Sequence, residues 1–224
     1  MYAPFVAQGD LVFDVGAHLG DRTAAFAGLG ARVVALEPQP HIVSWLHRLV
    51  GGRPRVTIRA LAVGREAGVA RMALSGAHPT VSTLAAPWRE HVLGNNPSFR
   101  HVRWEETIDV QVTTMDALIS EFGMPRFCKI DVEGHEAEVL GGLSHPVEAL
   151  SVEFVSGGLD VALACLDQLA TLAPYRYNVV VGEGRRFHFD EWRTPDSVRR
   201  WFEAGAESVS SGDLYARRVG ADDQ

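Results

Sequence analysis

The chain has 224 residues, 46% of them hydrophobic and 22% charged, and carries a formal net charge of −7. That length accommodates one α/β domain with a full core, and the acidic balance argues against a broad surface for nucleic acid or anionic membrane. No apolar run approaches the ~18 residues of a membrane span, and the opening Met1-Tyr-Ala-Pro-Phe has neither the basic region nor the apolar stretch of a signal peptide.

After a short lead-in, Leu11-Val-Phe13 predicts a strand buried on both faces, ending on Asp14. Gly16 and Gly20 bracket a turn, and Asp21-Arg22-Thr23 opens an Ala-rich helical stretch that ends near Gly28 and Gly30. Glycine permits such a turn and lets a ligand approach the backbone, while a helix start offers unpaired N–H groups. The turn has no Gly-Lys-Ser/Thr, as a P-loop needs. Its spacing is G-x-x-x-G with bulky His18 inside, not the G-x-G-x-x-G of a dinucleotide fold. A nucleoside ligand without phosphates remains, of which S-adenosylmethionine is the usual one. Val33-Val-Ala-Leu36 predicts a second buried strand ending in Glu37-Pro38. An acidic residue at that place is positioned to accept both ribose hydroxyls, and Pro38 stops the strand.

Ile42, Trp45, Leu46, Leu49 and Val50 then recur at helical spacing, which places Trp45 in the core. A third strand is expected over Arg55 to Val63, with Val69 to Leu74 turning back on it as an antiparallel hairpin arm. Residues 75–106 break the pattern, with Trp88, His91, Phe99, His101 and Trp104 at no sustained period. So long an irregular stretch reads either as a lid or acceptor wall, or as an excursion packed on the hairpin. Further strands are expected at Ile108–Val112, Phe127–Val132, Ala149–Val155 and Tyr177–Val181, another short segment at Arg186–Phe189, and a last strand near Leu214–Val219. Between them Thr114 caps a helix carrying Met115, Leu118, Ile119 and Phe122 on one face. Later helices run through Leu159, Leu163, Leu166 and Ala170, and through Val198, Trp201 and Phe202. Strands alternating with helices imply a mostly parallel sheet in a single domain spanning 1–224. Cys128 and Cys165 form no C-x-x-C pair, so reduced core cysteines and a cytoplasmic address are expected.

Lys129-Ile-Asp131-Val-Glu133-Gly-His135-Glu136 is unusually polar for the exit of a buried strand. Ligands of open α/β sheets gather beyond the carboxyl ends of the strands, where Asp14, Glu37, Asp131 and Glu153 all fall. Together with DVGAHLGD at 14–21, ALEP at 35–38, ALAVGREAG at 60–68, VTTMDALI at 112–119 and SVEF at 151–154, the KIDVEGHEAEVLGG run at 129–142 resembles the FkbM-type methyltransferases, within the class I S-adenosylmethionine-dependent group. The family usually has Asn where His18 stands. The resemblance implies a doubly wound, Rossmann-like, mostly parallel seven-stranded sheet with an antiparallel terminal strand. It also implies that Asp14, Gly16, His18 and Gly20 form the cofactor loop and that Glu37, followed by Pro38, holds the ribose. Leu61 and Ala62 would line the adenine, and Asp131 would sit near the methionine end and the acceptor. The implied reaction is O-methylation of a hydroxyl on a sugar or other small natural product.

A sulfonium already carries an activated methyl group, so such a protein mainly aligns acceptor and donor and finds a place for the hydroxyl proton. Asp131 and His135 are the candidate catalytic residues, Asp131 for positioning and His135 for the proton. Asp131, Glu133 and His135 are an alternative set for magnesium, although no metal is the favoured reading. A non-catalytic S-adenosylmethionine-binding sensor or scaffold is the other alternative.

Overall fold

The computed structural model describes residues 1–220. Its main sheet has seven strands in the order β3-β2-β1-β7-β8-β10-β9. They are β1 (Leu11–Val15), β2 (Arg32–Leu36), β3 (Val56–Arg59), β7 (Phe127–Ile130), β8 (Ala149–Val155), β9 (Tyr175–Val181) and β10 (Ser211–Arg218). Neighbours pair in parallel from β3 to β8, whereas β10 inserts antiparallel between β8 and β9. The sheet is thus mostly parallel with an antiparallel terminal strand, as expected. Every residue of β1 is buried, in keeping with a central strand covered on both faces.

Helices α1 (Asp21–Gly28), α2 (Pro40–Val50), α4 (Met115–Phe122), α5 (Glu136–Gly141), α6 (Leu159–Leu172) and α7 (Pro195–Glu203) make most of the connections. Thr114 caps α4 by accepting the Ala117 N–H, and Met115 and Leu118 are buried beneath it. One core face joins Phe13, Leu36, Ile130, Leu150 and Leu166, and another joins Phe26, Phe127 and Tyr215. Tyr2, Phe5 and Val6 belong to this second core, so the lead-in residues are packed structure and not a loose end. Cys128 and Cys165 are both buried thiols. Among the described residues no helix is long and apolar enough to cross a membrane.

Three expectations need correction. The predicted third strand is two: β3 stops at Arg59, and β4 (Ala62–Val63) leaves the main sheet for a separate three-stranded one. In that small sheet β5 (Gly68–Leu74) pairs antiparallel with β6 (Glu106–Thr113), while β4 pairs parallel with β6. The partner of β5 therefore lies downstream, beyond residues 75–105, and not in the preceding strand, a choice that local turn chemistry does not encode. Trp45 is not in the core. It is 51% exposed beside Leu49, with Arg48 stacked over its ring at 5.0 Å, while Ile42, Leu46 and Val50 form the buried stripe of α2.

Residues 75–106 contain α3 (Ala86–Asn95) flanked by two short 3₁₀ turns. Trp88 and Val92 of α3 meet Phe99, Val102 and Val155, so this segment has its own core against the end of β8. Trp88 also touches the backbone of the β7–α5 turn so closely that a Cβ on Gly134 would lie 2.2 Å from its ring. Trp88→Ala should cost about 3–5 kcal/mol locally. Hydrogen exchange should then show α3 unprotected while β1 and β7 stay protected; unchanged protection in α3 would contradict this packing.

Candidate active site

The carboxyl ends of β1, β2, β7 and β8 open into a cavity of about 500 Å³. The turn after β1 is bent so tightly that it packs on the turn after β7. Gly16 has φ +82°, and a Cβ there would come within 1.8 Å of the Asp131 carbonyl oxygen. Gly20, at φ +89°, abuts the Leu46 and Val50 side chains of α2. Close packing and a positive φ therefore require both glycines, and the turn they shape presents the loop to the cavity. His18 also adopts a positive φ, 47°, at the cavity wall.

At one end of the cavity stands Glu37, 3% exposed. Its carboxylate accepts N–H bonds from Gln39 (2.8 Å) and His18 (3.1 Å), one on each oxygen. Each oxygen keeps acceptor capacity for a further donor, such as a hydroxyl. Burial pushes its pKa up to about 7, against the pull of those two hydrogen bonds. Pro38, Leu61, Ala62, Val63, Met72 and Leu84 supply an apolar wall beside it.

The other end is acidic. Asp131, Glu133 and Glu153 line the cavity, and an oxygen from each lies within 4.8 Å of the others. Like charges this close disfavour full ionisation. Burial and the neighbouring charge of Asp131 hold Glu133 and Glu153 well above the ordinary carboxylate range. Asp131 goes the other way: burial works to raise it, but Lys129 and a hydrogen bond from Glu153 keep it low. Lys129 Nζ lies 3.0 Å from Asp131 Oδ2 and 2.8 Å from Asp213 Oδ1. Glu136 closes the turn by accepting the Val132 and Gly134 N–H groups, its pKa raised by burial to about 7.

His135 lies just before α5 and forms part of the partition between this cavity and a second hollow of about 350 Å³ bordered by residues 64–70. Its Nε2 is turned toward Gly64, and burial lowers its pKa, outweighing the charge of Glu138, so the ring is neutral near pH 7. It is not part of the three-carboxylate grouping that includes Asp131.

Of the residues singled out in the sequence, Gly16, His18, Gly20, Glu37, Pro38, Leu61, Ala62, Asp131 and His135 all line the cavity. Asp14 does not. It is 1% exposed, and its carboxylate accepts the Thr23 hydroxyl of α1 within the sheet–helix interface; burial raises its pKa to about 6. Sequence reasoning missed Arg22 and Glu183, an ion pair at the cavity wall, as well as Met72, Thr80, Ser82 and Leu84. Thr80 and Ser82 come from the irregular insertion and Glu183 follows β9, where no local pattern marks a ligand-facing position.

A sheet of this strand order, with its antiparallel strand next to the edge and a cavity at its carboxyl edge, has the Rossmann-like fold of class I methyltransferases. The model of the methyltransferase FkbM domain matches residues 14–208, and the chain belongs to that family of methyltransferases. It is 28% identical over 150 residues to the hexuronic acid methyltransferase AglP of Haloferax volcanii, covering 66% of this chain and 55% of that protein. It is 31% identical over 201 residues to the 31-O-demethyl-FK506 methyltransferase FkbM of Streptomyces tacrolimicus, covering 80% and 76%. The chain thus spans about half the length of the first relative. Among solved structures, a precorrin-6y C5,15-methyltransferase from Geobacter metallireducens superposes with a TM-score of 0.48 at 11% identity, over 96% of this chain and 82% of that one.

The raised carboxyls make a prediction for the ligand-free protein. Asp14, Glu37 and Glu136 each have a folded pKa above the ordinary value, so the folded state holds extra protons. Their stabilising contribution is complete below about pH 4 and is lost as pH rises through about 6–7. Tm should fall from about pH 5 to about pH 8, and should fall less in Glu37→Gln. A variant with the wild-type slope would show that the fold does not raise the Glu37 pKa.

Proposed function

We propose that this methyltransferase takes S-adenosylmethionine as its donor and methylates a hydroxyl of a sugar or other small natural product. The observation that carries the reading is the layout of one cavity: the Glu37 carboxylate at one end, the Asp131 group at the other, and an apolar wall alongside. A nucleoside sulfonium has matching parts: vicinal ribose hydroxyls, an apolar base and a cationic end. Glu37 would accept the ribose hydroxyls, Leu61 and Ala62 would flank the base, and the backbone of residues 16–20 would border the methionine portion. Asp14 supports that loop from behind through Thr23. The relatives named for a hexuronic acid and for 31-O-demethyl-FK506 support a small-molecule acceptor.

The donor, when bound, supplies a methyl group already activated for transfer. The protein's own work is to orient the acceptor oxygen, exclude water and receive a proton. Asp131 stands as a fixed anion at the acidic end. His135, neutral because it is buried, is the group able to take the hydroxyl proton. The insertion 75–106 contributes Thr80, Ser82 and Leu84 to the wall and would serve as the acceptor side of the site.

Calorimetry should show S-adenosylhomocysteine bound and NAD not bound. Glu37→Ala should lose about 1.5–3 kcal/mol of that affinity, the worth of hydrogen bonds to a charged group. Tighter binding of NAD would sink the assignment. With an acceptor found by screening sugars and hydroxylated natural products for label transfer, Asp131→Asn should slow single-turnover methylation by about 10²-fold while cofactor affinity falls much less. Near-normal turnover would reduce Asp131 to a structural carboxylate.

A further inference from the structure

The acidic end of the cavity has a support that the methyl-transfer reading leaves unused. Lys129 is 2% exposed, lies at the centre of the sheet and does not line the cavity. Its ammonium touches Asp131, the residue that follows the end of β7. It also reaches across β8 to Asp213 of β10. The register explains the reach. Lys129 pairs with Ser151, Ser151 with Tyr215, and Glu153 with Asp213, so all these side chains share one face of three adjacent strands. The Ser151 hydroxyl beneath the lysine is fully buried and takes no partner.

We propose that Lys129 and Asp213 are positioning residues, a buried clamp between β7 and β10 that holds Asp131 as a fixed anion on the cavity wall. Asp213 lies outside the stretch matched to the family domain, which ends at residue 208. A buried ammonium needs a paired charge, and here it has two. One of them, Asp213, is 9% exposed and does not line the cavity; its part is to anchor the lysine. The other, Asp131, has about a third of its side chain open. The clamp therefore directs one negative charge outward at a defined point. The groups that face Asp131 are Lys129 on β7, Glu153 on β8, Asp213 on β10, Arg22 at the start of α1, Asp14 on β1, His18 in the first turn, and Glu133 and Glu136 after β7. On the donor reading given above, on which this consequence rests, that charge faces the cationic end of S-adenosylmethionine. It favours the sulfonium over the neutral thioether of S-adenosylhomocysteine and so helps the spent cofactor to leave.

The test uses the full chain with ¹³C-carboxyl-labelled aspartate and follows each resonance with pH, the Asp131 signal being assigned by its loss in Asp131→Asn. Lys129→Met should raise the Asp131 midpoint by about 1–3 pH units, the size of an opposite charge at contact distance. Asp213→Asn should lower it, because the lysine then serves Asp131 alone and a nearby negative charge is gone. A purely structural role gives no reason for shifts of opposite sign. Calorimetry adds the second readout: at a pH between the wild-type and the raised Lys129→Met midpoints of Asp131, the preference for S-adenosylmethionine over S-adenosylhomocysteine should drop about tenfold in Lys129→Met and persist in Asp213→Asn. Midpoints that stay put, or move together, overturn the clamp. Should Lys129→Met not fold, Asp213→Asn, nearly isosteric and still able to accept from Lys129, decides by the downward shift alone. Midpoints that move as expected in a wild type that binds neither ligand would uphold the clamp and sink the donor assignment instead.

Discussion

A lysine ammonium held away from water between two carboxylates is the interaction on which the acidic end of this site depends. Without Lys129, Asp131, Asp213, Glu133 and Glu153 would be a crowd of like charges in a half-buried place, and the least costly response would be to protonate them all. With it, the charges separate into distinct states. Asp131 stays low, while Glu153 and Glu133 are pushed high. Such an ion pair is weak evidence for stability, because desolvating its members offsets much of their attraction. Its worth here lies in where it leaves a charge exposed.

The same region is held mechanically by backbone contacts. Gly16 and the Asp131 carbonyl approach until no side chain fits between them, which couples the turn after β1 to the turn after β7. Glu136 accepts two N–H groups of the latter turn, and the Thr83 hydroxyl donates to the Glu133 carbonyl 2.6 Å away. Trp88 then packs on Gly134 from outside. The loops that carry ligand-facing groups are thus fixed by the sheet below and by α3 above, as a preorganised site requires. The insertion is bound to this arrangement by Trp88 and Thr83 and is not a free flap at those points.

Glu37 shows how the two ends of the cavity are linked through the first turn. Its carboxylate accepts the His18 N–H, so the residue that ends β2 also shapes the glycine loop after β1. Parallel pairing of β1 with β2 brings Val15 level with Leu36, which sets the two turns side by side. Gln39, accepted by Glu37 through its backbone, sends its side-chain amide on to the Pro79 carbonyl. A chain of ordinary hydrogen bonds therefore runs from the first turn to the insertion, along one wall of the cavity.

What could be read from residues alone was whatever is encoded in short strings. The buried runs at 11–13, 33–36, 127–132 and 149–155, the glycine turn, Glu37-Pro38 and the KIDVEGHE segment each fall within one element and the turn after it, and they marked most of the cavity wall. Apolar periodicity also gave the face of α4 correctly, but it placed Trp45 inside, because a stripe wider than the buried face looks the same in sequence. Asp14 was expected at the ligand and lies behind the wall, since strand position alone does not say whether a carboxylate meets a helix or a cavity. The pairing of β5 with β6, the helix inside 75–106, the Arg22–Glu183 pair and the reach of Lys129 to Asp213 depend on which distant segments become neighbours. Only the tertiary structure decides those, because β10 enters between β8 and β9 and carries Asp213 into a register that no local pattern specifies.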